Sequence, residues 1–295
     1  MMSLCTCEEK QYPEIIMKQN HSFFRNVCNL AIPVALQSML QSSFGIVDQI
    51  MIGQLGSVNI AGVGLAVKFS GIFSVVVAAL GAVAGIMISQ YLGQQDRIEV
   101  KRSFFLNLYF ALGLAALFTA LCLLSPGWIM GFYTTDPATL AATAGYLRIL
   151  SGTFFSMACA TMLSALLRCM EKASLPLYAS FLAAAVNTAL NYLLIFGRFG
   201  FPAMGTAGAA IATVISQFLN LALMFFMAIR LFHLSSLSGA FSFRKVPFSW
   251  KQYASILLPI LVCEFFWSFG ENVYAVIYGR LGTEASAAMT LTGPI

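Results

Sequence analysis

The sequence contains very little charge. Only 9% of its 295 residues are Asp, Glu, Lys or Arg, whereas 59% are hydrophobic and the mean hydropathy is +0.84. Globular domains carry about a quarter charged residues, so a water-soluble fold of this length could not cover its surface with so few. Because backbone polar groups in lipid must be paired within the chain, we predict an all-α integral membrane protein.

The sequence also lacks the residues that enzymes and metal sites need. It has only two histidines, His21 and His233, and none of the common hydrolase, zinc-protease or phosphate-binding motifs. Its seven cysteines are odd in number and lie mostly inside apolar runs, which argues against a disulfide framework. We predict no enzymatic activity, no metal site, no bound cofactor and no nucleic-acid partner.

Seven apolar stretches are long enough to cross a bilayer, which takes roughly 20 helical residues. They lie near 27–52, 62–90, 104–125, 139–167, 175–196, 206–230 and 253–279, and an eighth begins near Ala285. We predict a six-helix bundle over residues 25–230, called the N-lobe, after a cytoplasmic tail of residues 1–24 that is not a secretory signal. A cytoplasmic linker, residues 231–249, leads to residues 250–295, which hold the seventh helix and part of an eighth and begin a C-lobe.

Basic residues are distributed asymmetrically between the two sides of the predicted membrane. With the N-terminus in the cytoplasm, twelve of the 16 Lys and Arg residues are cytoplasmic and two, Arg198 and Arg280, are on the opposite side. Lys68 and Arg148 lie within or near spans. Because cytoplasmic loops carry an excess of positive charge, we predict a multi-pass protein of the cell (inner or plasma) membrane with a cytoplasmic N-terminus.

The beginning of the first span is repeated late in the chain. Pro33, Gly53 and Gly56 each recur 226 residues later, and eight identities lie at this offset between positions 33 and 65. Two membrane-embedded repeats around a central site are the usual architecture of secondary transporters. The chain holds one complete repeat and the start of another, and it ends inside an apolar segment, so we expect it to be a fragment of a longer protein.

Three acidic residues lie deep in the predicted spans: Asp48, Glu264 and Glu271. A charge near the bilayer centre costs roughly 2.5–3.5 kcal/mol on insertion scales, and such residues usually face a cavity and have a function. Gln37 and Gln41 share one face of the first helix with Asp48, at spacings of four and seven residues. Amides alone would serve a purely structural hydrogen-bond cluster, so the acid favours a functional site.

Two further helices carry polar residues that could complete a site around Asp48. Asn187 and Asn191 are four residues apart on the fifth span and share a face, and Thr213 lies on the sixth span. If these residues converge, the carboxylate is surrounded by neutral oxygens, which suits a proton or a small hard cation such as Na⁺. Taken singly, each Asn is better explained by hydrogen bonding between helices.

The seventh span carries an acidic and aromatic stripe. Glu264, Trp267, Glu271 and Tyr274 recur at steps of three and four residues. This combination favours an organic cation, through charge pairing and cation–π contact. An aromatic belt at the membrane interface is the alternative, and it explains Glu264 poorly.

Ordered motifs extend over residues 25–295. The most specific is Gly205-x-x-Gly208-Ala209-Ala210-x-Ala212-Thr213-x-x-Ser216-Gln217. The others are Ile32-Pro33 through Val47-Asp48 to Gly53-x-Leu55-Gly56, Gln90-Tyr91-Leu92-Gly93, Arg168 through Pro176-Leu177-Tyr178, Asn187-x-x-x-Asn191-Tyr192, and Glu264 through Gly279-Arg280-Leu281-Gly282. Together they resemble the multidrug and toxic compound extrusion (MATE) family, part of the multidrug/oligosaccharidyl-lipid/polysaccharide flippase superfamily.

The resemblance implies twelve helices in two lobes around a V-shaped cavity, which exchange extracellular H⁺ or Na⁺ for cytoplasmic organic cations. The expected partners of this monomer are therefore the lipid bilayer and small organic cations. The cation-coupling residues that it implies are Asp48, Asn187, Asn191 and Thr213. Together with the polar stripes above, it places substrate binding at Gln37, Gln41, Glu264, Trp267, Glu271 and Tyr274.

The chain departs from the family pattern at two positions. Many members have an acid where this chain has Asn191, and one branch has an acid where it has Trp267. With one carboxylate fewer at the cation site, H⁺ is favoured over Na⁺ as the coupling ion, and both remain open. Whether Glu264 or Glu271 replaces the acid at Trp267 is also open.

Two other functions compete with an efflux antiporter. A lipid-linked precursor flippase of the same superfamily is expected to line its cavity with several arginines, whereas only Lys68 and Arg148 lie at membrane depth here. A seven-helix receptor or channel fits the number of spans, but the internal repeat and the cytoplasmic N-terminus argue against it.

Overall fold

The computed structural model describes the backbone of residues 5–232 and 250–292, and the side chains of residues 27–230 and 253–292. Regular structure in these ranges is helical throughout. The helices are α1 (Cys5–Gly53), α2 (Ser57–Gly93), α3 (Arg97–Leu124), α4 (Pro126–Gly131), α5 (Pro137–Leu150), α6 (Thr153–Cys169), α7 (Ser174–Phe196), α8 (Thr206–Phe232), α9 (Trp250–Leu281) and α10 (Thr283–Thr292). Most of the predicted linker, including His233, and the side chains of the predicted tail lie outside the described residues.

Six of the described helices are long and apolar enough to cross a membrane, and the number is seven if one bent pair of helices forms a single span. The six cover Val27–Gly53, Ser57–Gly93, Arg97–Leu124, Ser174–Phe196, Thr206–Arg230 and Tyr253–Leu281. Helix α3 begins several residues before its apolar stretch because a polar cap extends it. Asp96 accepts hydrogen bonds from the backbone N–H groups of Ile98 and Glu99 and starts α3. The predicted all-α membrane fold is confirmed.

The fourth predicted span, 139–167, is not one straight helix. It consists of α5 and α6, which meet at an angle of 50° around Ser151 and Gly152. The Ser151 hydroxyl donates to the Arg148 carbonyl at 2.7 Å, and the Thr153 hydroxyl donates to the Leu150 carbonyl at 2.8 Å. These hydroxyls pair carbonyls that the bend would otherwise leave unsatisfied, which is why a Ser–Gly pair can break a helix inside the bundle.

The backbone repeats at the predicted offset. Gly56 precedes α2 with φ +98°, and Gly282 precedes α10 with φ +135°. The first helical hydrogen bond is the same in both places: Ile60 N–H donates to the Gly56 carbonyl at 3.2 Å, and Ser286 N–H donates to the Gly282 carbonyl at 3.1 Å. Both glycines adopt a backbone conformation that other residues rarely adopt, so the same turn begins the second helix of each repeat.

Helix α2 occupies the centre of the described bundle and packs against α3, α5, α6, α9 and α10. Small residues allow this close approach. Gly64 faces Thr290 of α10 so tightly that a methyl group on Gly64 would overlap the threonine side chain. On another face, Phe73 of α2 and Phe154 of α6 are both buried, with ring centroids 4.6 Å apart. The first helix of the second repeat and the start of its second helix are thereby held against the N-lobe.

Candidate functional site

A cavity of about 460 Å³ lies among α1, α2, α5, α7, α8, α9 and α10. Its polar and aromatic lining residues are Asp48, Gln49, Lys68, Ser74, Tyr146, Asn191, Thr213, Trp267, Ser268, Glu271, Asn272 and Thr290. Pockets for drug-sized ligands typically measure about 300–1,000 Å³. The cavity is therefore large enough for an organic molecule as well as a small ion.

Asp48 lies in the wall of this cavity and is bound by α7. Asn191 Nδ2 donates a hydrogen bond to Asp48 Oδ1 at 2.6 Å. Asn191 is 1% exposed, whereas Asp48 is only partly buried because it opens onto the cavity. Hydrogen bonds to an ionised acceptor are shorter and roughly twice as strong as neutral ones, so this contact holds the carboxylate in a defined place.

Asn187, one turn before Asn191, brings a second amide to Asp48. The amide atom that faces Asp48 lies 2.9 Å from Oδ1 and 3.1 Å from Oδ2. A charged carboxylate requires a donor there, so we assign the amide nitrogen to this position, and the amide oxygen then accepts from the Ser216 hydroxyl at 3.2 Å. In the opposite orientation the nitrogen donates to Ser216 at 3.2 Å. Asn187 can therefore present either a donor or an acceptor to Asp48.

Neutral oxygens lie near the carboxylate. Thr213 lines the same cavity, and its hydroxyl donates to the Ala209 carbonyl at 2.9 Å. Asn191 Oδ1 is buried and has no hydrogen-bond partner among the described residues. Buried polar atoms are normally paired, so this free acceptor beside Asp48 fits a hydrogen-bond donor or a bound cation.

The second acid of the cavity, Glu271, has a cationic partner from another helix. Lys68 Nζ of α2 and Glu271 Oε2 of α9 are 2.6 Å apart. The side chains are 37% and 44% exposed, and both line the cavity. The sequence does indicate that Lys68 has a partner, because a lone lysine inside an apolar span normally pairs with an acid from another helix. The sequence could not show which acid that is.

Helix α9 is anchored one residue beyond Glu271. The Tyr133 hydroxyl, in the turn after α4, donates to Asn272 Oδ1 at 2.7 Å, and Asn272 Nδ2 donates to the Ser268 carbonyl at 2.8 Å. Asn272 is 9% exposed. The bond from Tyr133 comes from outside α9 and holds the rotation of that helix about its axis in which Glu271 faces Lys68 and the cavity.

The other residues predicted to bind substrate lie in different places. Trp267 lines the cavity and is 70% exposed. Gln37 is buried away from it, donating to the Ser180 hydroxyl at 3.0 Å and accepting from Arg168 at 3.4 Å. Gln41, Glu264 and Tyr274 are not among the described residues that line the cavity.

The arrangement has two chemically distinct parts. Around Asp48 there is one carboxylate with two amides and a threonine, which suits a small cation or a proton. Around Glu271 there is an ion pair beside an exposed indole ring, which suits a larger organic molecule. With its three charged side chains ionised, the described wall of the cavity carries one net negative charge.

Known proteins are similar to this chain in sequence and in fold. Residues 33–193 match the model of the MatE family. The chain is 28% identical over 268 residues to the probable multidrug resistance protein NorM of Thermotoga maritima, and the alignment covers 89% of this chain and 56% of that relative. The chain thus spans a little over half the length of that protein.

Two solved structures show the same fold. One is an inward-facing conformation of a multidrug resistance MATE family transporter of the MOP superfamily, with a TM-score of 0.69 and 20% identity over 89% of this chain and 60% of that one. The other is an outward-facing conformation described in the same words, with a TM-score of 0.69 and 20% identity over 91% and 64%. The family model covers more than half of the sequence, and the chain belongs to the MatE family.

Proposed function

We propose that this chain forms the N-lobe and the beginning of the C-lobe of a cation-coupled antiporter that exports organic cations from the cytoplasm. The observation that carries the proposal is Asp48, a carboxylate inside the predicted membrane region that is bound by amides and open to a cavity of about 460 Å³. Charged groups at membrane depth that face a cavity usually mark an ion or substrate pathway. A related protein named for multidrug resistance supports export as the direction of transport.

The coupling step in this proposal is the change of charge at Asp48. A charged carboxylate accepts hydrogen bonds from Asn191 and from the nitrogen of Asn187. Once a proton or a cation neutralises the Asp48 carboxylate, the Asn187 side chain can turn its amide oxygen toward Asp48 and contact the bound proton or cation. This turn is possible because the Ser216 hydroxyl can form a hydrogen bond with the Asn187 amide in either orientation. The contacts between α1 and α7 thus depend on the charge of Asp48, and ion binding can bias the protein toward one of two conformations.

Within this proposal H⁺ is favoured over Na⁺. Asn191 is an amide, so Asp48 is the one carboxylate near the amide pair in the described cavity wall. A hard cation needs several oxygen ligands at once, and the short bond from Asn191 already occupies one carboxylate oxygen. A proton needs only a single oxygen of Asp48.

The organic substrate is proposed to bind at the other side of the cavity. Trp267 presents its ring to the cavity, and Glu271 follows it by four residues on the same face of α9. A cation can contact the ring face and the carboxylate together. The protein is proposed to lie in the cell membrane with its N-terminus in the cytoplasm, as the basic residues predict.

Transport by the full-length protein in lipid vesicles tests the proposal. Imposed H⁺ or Na⁺ gradients should drive ethidium transport in the wild type, and Asp48→Asn should abolish gradient-driven transport while leaving insertion and folding unchanged. Asp96→Asn is the matched control, because Asp96 caps α3 outside the cavity. Full antiport by Asp48→Asn would show that Asp48 has a structural role.

The flippase alternative receives less support. Lys68, one of the two basic residues predicted at membrane depth, is paired with Glu271 at 2.6 Å. Arg148 is exposed and is not among the described residues that line the cavity. A pyrophosphate group would therefore meet a cavity with net negative charge. Membership of the MatE family argues against a receptor or channel.

A further inference from the structure

Helix α9 is bonded to the N-lobe at two distant points by the same pair of side chains. Toward the C-terminus of α9, the Tyr133 hydroxyl donates to Asn272 Oδ1 at 2.7 Å. Near its N-terminus, the Tyr253 hydroxyl donates to Asn107 Oδ1 of α3 at 2.9 Å. Nineteen residues, about 28 Å of helix, separate Tyr253 from Asn272. The two bonds therefore lie toward opposite sides of the predicted membrane.

The two asparagines are held in the same way. Asn272 Nδ2 donates to the Ser268 carbonyl at 2.8 Å, and Asn107 Nδ2 donates to the Ser103 carbonyl at 2.9 Å, in each case four residues earlier in the same helix. Both asparagines are buried, with exposures of 9% and 0%. Because each amide nitrogen is bonded within its own helix, the amide oxygen is presented in a fixed position to a tyrosine of the other predicted lobe.

Each bond can break only together with a separation of the helices. An asparagine oxygen that lost its tyrosine and stayed buried would be an unsatisfied polar group, which is costly. The same oxygen finds new partners if water reaches it, and water reaches it when that end of α9 moves away from the N-lobe. The net gain from one neutral hydrogen bond changes an equilibrium constant by only about three- to tenfold. Each bond is therefore weak enough to open and close during a conformational cycle.

The separations at the two ends of α9 oppose each other. Because α9 is one continuous helix, a tilt that moves one end away from the N-lobe presses the other end against it. At one end, Tyr253 packs in a buried cluster with Val83 and Met87 of α2. At the other end, Gly279 lies so close to the Tyr133 carbonyl that a methyl group on the glycine would overlap it. Both ends of α9 thus have a surface of the N-lobe against which they can close.

We propose that the two bonds are opposing latches. The Tyr133 latch, Tyr133 with Asn272, closes the cavity at the extracellular end of α9, and the Tyr253 latch, Tyr253 with Asn107, closes it at the cytoplasmic end. The protein alternates between two conformations, each with one latch closed and the other open, and the described conformation with both closed lies between them. This inference rests on the proposed function, since an antiporter exposes its site to one side at a time, and it names the residues that hold each end closed.

Hydrogen–deuterium exchange of the full-length protein in lipid nanodiscs, followed by mass spectrometry, tests the latches. Exchange is measured at two sets of backbone amides, one around each latch. The set called the Tyr133 end contains residues 126–140 and 276–290, and the set called the Tyr253 end contains residues 100–110 and 253–260. The measured quantity is the exchange rate at each end, together with the ratio of the rate at the Tyr133 end to the rate at the Tyr253 end.

Two conservative substitutions should move the two ends in opposite directions. Tyr133→Phe removes one hydroxyl and keeps the ring, so it should speed exchange at the Tyr133 end and slow it at the Tyr253 end. The ratio of the two rates should rise by roughly three- to tenfold, the effect of one hydrogen bond. Tyr253→Phe should lower the ratio by a similar factor. Tyr178→Phe is the matched control, because Tyr178 is an exposed tyrosine of α7, and it should change neither end.

The double variant Tyr133→Phe/Tyr253→Phe distinguishes latches from ordinary structural contacts. Opposing shifts cancel, so exchange at both ends should return toward the wild-type rates, whereas two lost structural contacts would add and speed exchange at both ends. Asn272→Leu and Asn107→Leu remove the acceptors and keep side chains of similar size. They should reproduce the shifts of Tyr133→Phe and Tyr253→Phe, and they replace those variants if either tyrosine substitution impairs folding.

The outcomes separate the latches from the proposed function. If each substitution changes exchange only at the end that carries it, or speeds exchange at both ends, the bonds are structural and the inference is overturned. If the two ends respond in opposite directions but no H⁺ or Na⁺ gradient drives ethidium transport by the wild type, the latches stand and the antiport function fails. Gradient-driven ethidium export by a protein whose two ends respond independently would overturn the latches alone.

Discussion

The side-chain Nδ2 of Asn191 on α7 donates a hydrogen bond to Oδ1 of Asp48 on α1 at 2.6 Å, across 143 positions of sequence. The contact joins the first and fifth membrane spans at the wall of the cavity. Because the partner of Asp48 is an amide and not a second acid, this part of the cavity has one negative charge for a single monovalent cation to neutralise. In the proposed function, the choice between H⁺ and Na⁺ as the coupling ion then depends on how many oxygens remain available to bind it.

We expect Asn191→Asp to increase the dependence of transport on Na⁺. A second carboxylate would add negative charge and oxygen ligands in place of a hydrogen-bond donor, and both changes favour a hard monovalent cation. Transport by the full-length protein in vesicles is measured with an Na⁺ gradient at fixed pH and with a pH gradient at fixed Na⁺. Asn191→Leu is the control, since it removes the amide without adding charge and should create no Na⁺ dependence. Wild-type transport that follows Na⁺ and ignores pH would refute the preference for H⁺.

Gly64→Ala should destabilise the packing of α10 on α2. A methyl group at Gly64 would overlap the side chain of Thr290, and overpacking of this kind costs about 1–3 kcal/mol. Thermal unfolding in detergent should show a lower midpoint, and adding Thr290→Ala should restore part of the loss. Gly113→Ala is the control, because no other atom lies within 4 Å of the position that its methyl group would take. Equal midpoints for Gly64→Ala and Gly113→Ala would contradict the observed packing.

Gly282→Ala should also destabilise the protein, for a backbone reason. Gly282 has φ +135°, and its equivalent in the first repeat, Gly56, has φ +98°. An alanine in such a conformation is strained by about 1–3 kcal/mol, although the space beside both glycines is open. The same measurement should show comparable losses for Gly56→Ala and Gly282→Ala. Gly270→Ala, within α9 and with open space around it, should not lower the midpoint. A large difference between the two repeat glycines would argue against equivalent turns.

Asp136 should make stability depend on pH. It precedes α5 and accepts hydrogen bonds from the Thr139 hydroxyl, from the Thr139 backbone N–H at 3.0 Å and from the Thr283 hydroxyl at 3.2 Å. The hydrogen bond from the Thr139 hydroxyl is the main cause that lowers the pKa of Asp136 from its ordinary value of 3.8. Because the folded-state pKa is the lower one, the stabilisation is complete above the unfolded-state pKa and disappears as pH falls through the folded-state pKa.

Asp136→Asn is therefore expected to lower the unfolding midpoint near neutral pH and to have a smaller effect at acid pH. The measurement is thermal unfolding in detergent between about pH 3 and pH 7. Thr283→Val should show a weaker form of the same pH dependence, since it removes one of the hydrogen-bond donors to the carboxylate. Midpoints of the Asp136→Asn variant that run parallel to the wild type at every pH would disprove this role.

Local pattern was enough to predict most of the helical architecture. The length of each apolar stretch was enough to locate the spans. A helix in lipid must pair its backbone N–H and C=O groups within itself, and it must do so across the fixed thickness of the hydrocarbon core. The constant offset that relates Gly56 to Gly282 predicted a repeat, and the positive φ angles at both residues agree with it. The break at Ser151 and Gly152 was missed, because the apolar pattern continues through it and only the packing of α5 and α6 decides whether a Ser–Gly pair bends.

Only part of the candidate site could be predicted from the sequence: Gln37, Gln41, Glu264 and Tyr274 were predicted to bind substrate but do not line the described cavity. Asp48, Asn187, Asn191 and Thr213 could be chosen because a polar group inside an apolar span is costly and therefore conspicuous. Which groups meet depends on the rotation of each helix about its axis, and contacts distant in sequence set that rotation, such as the hydrogen bond from Tyr133 to Asn272. For this reason the sequence determined the membrane fold, the repeat and the polar residues available to the cavity. Tertiary packing alone decided that Gln37 is buried against Ser180, that Asn191 binds Asp48, and that Lys68 pairs with Glu271.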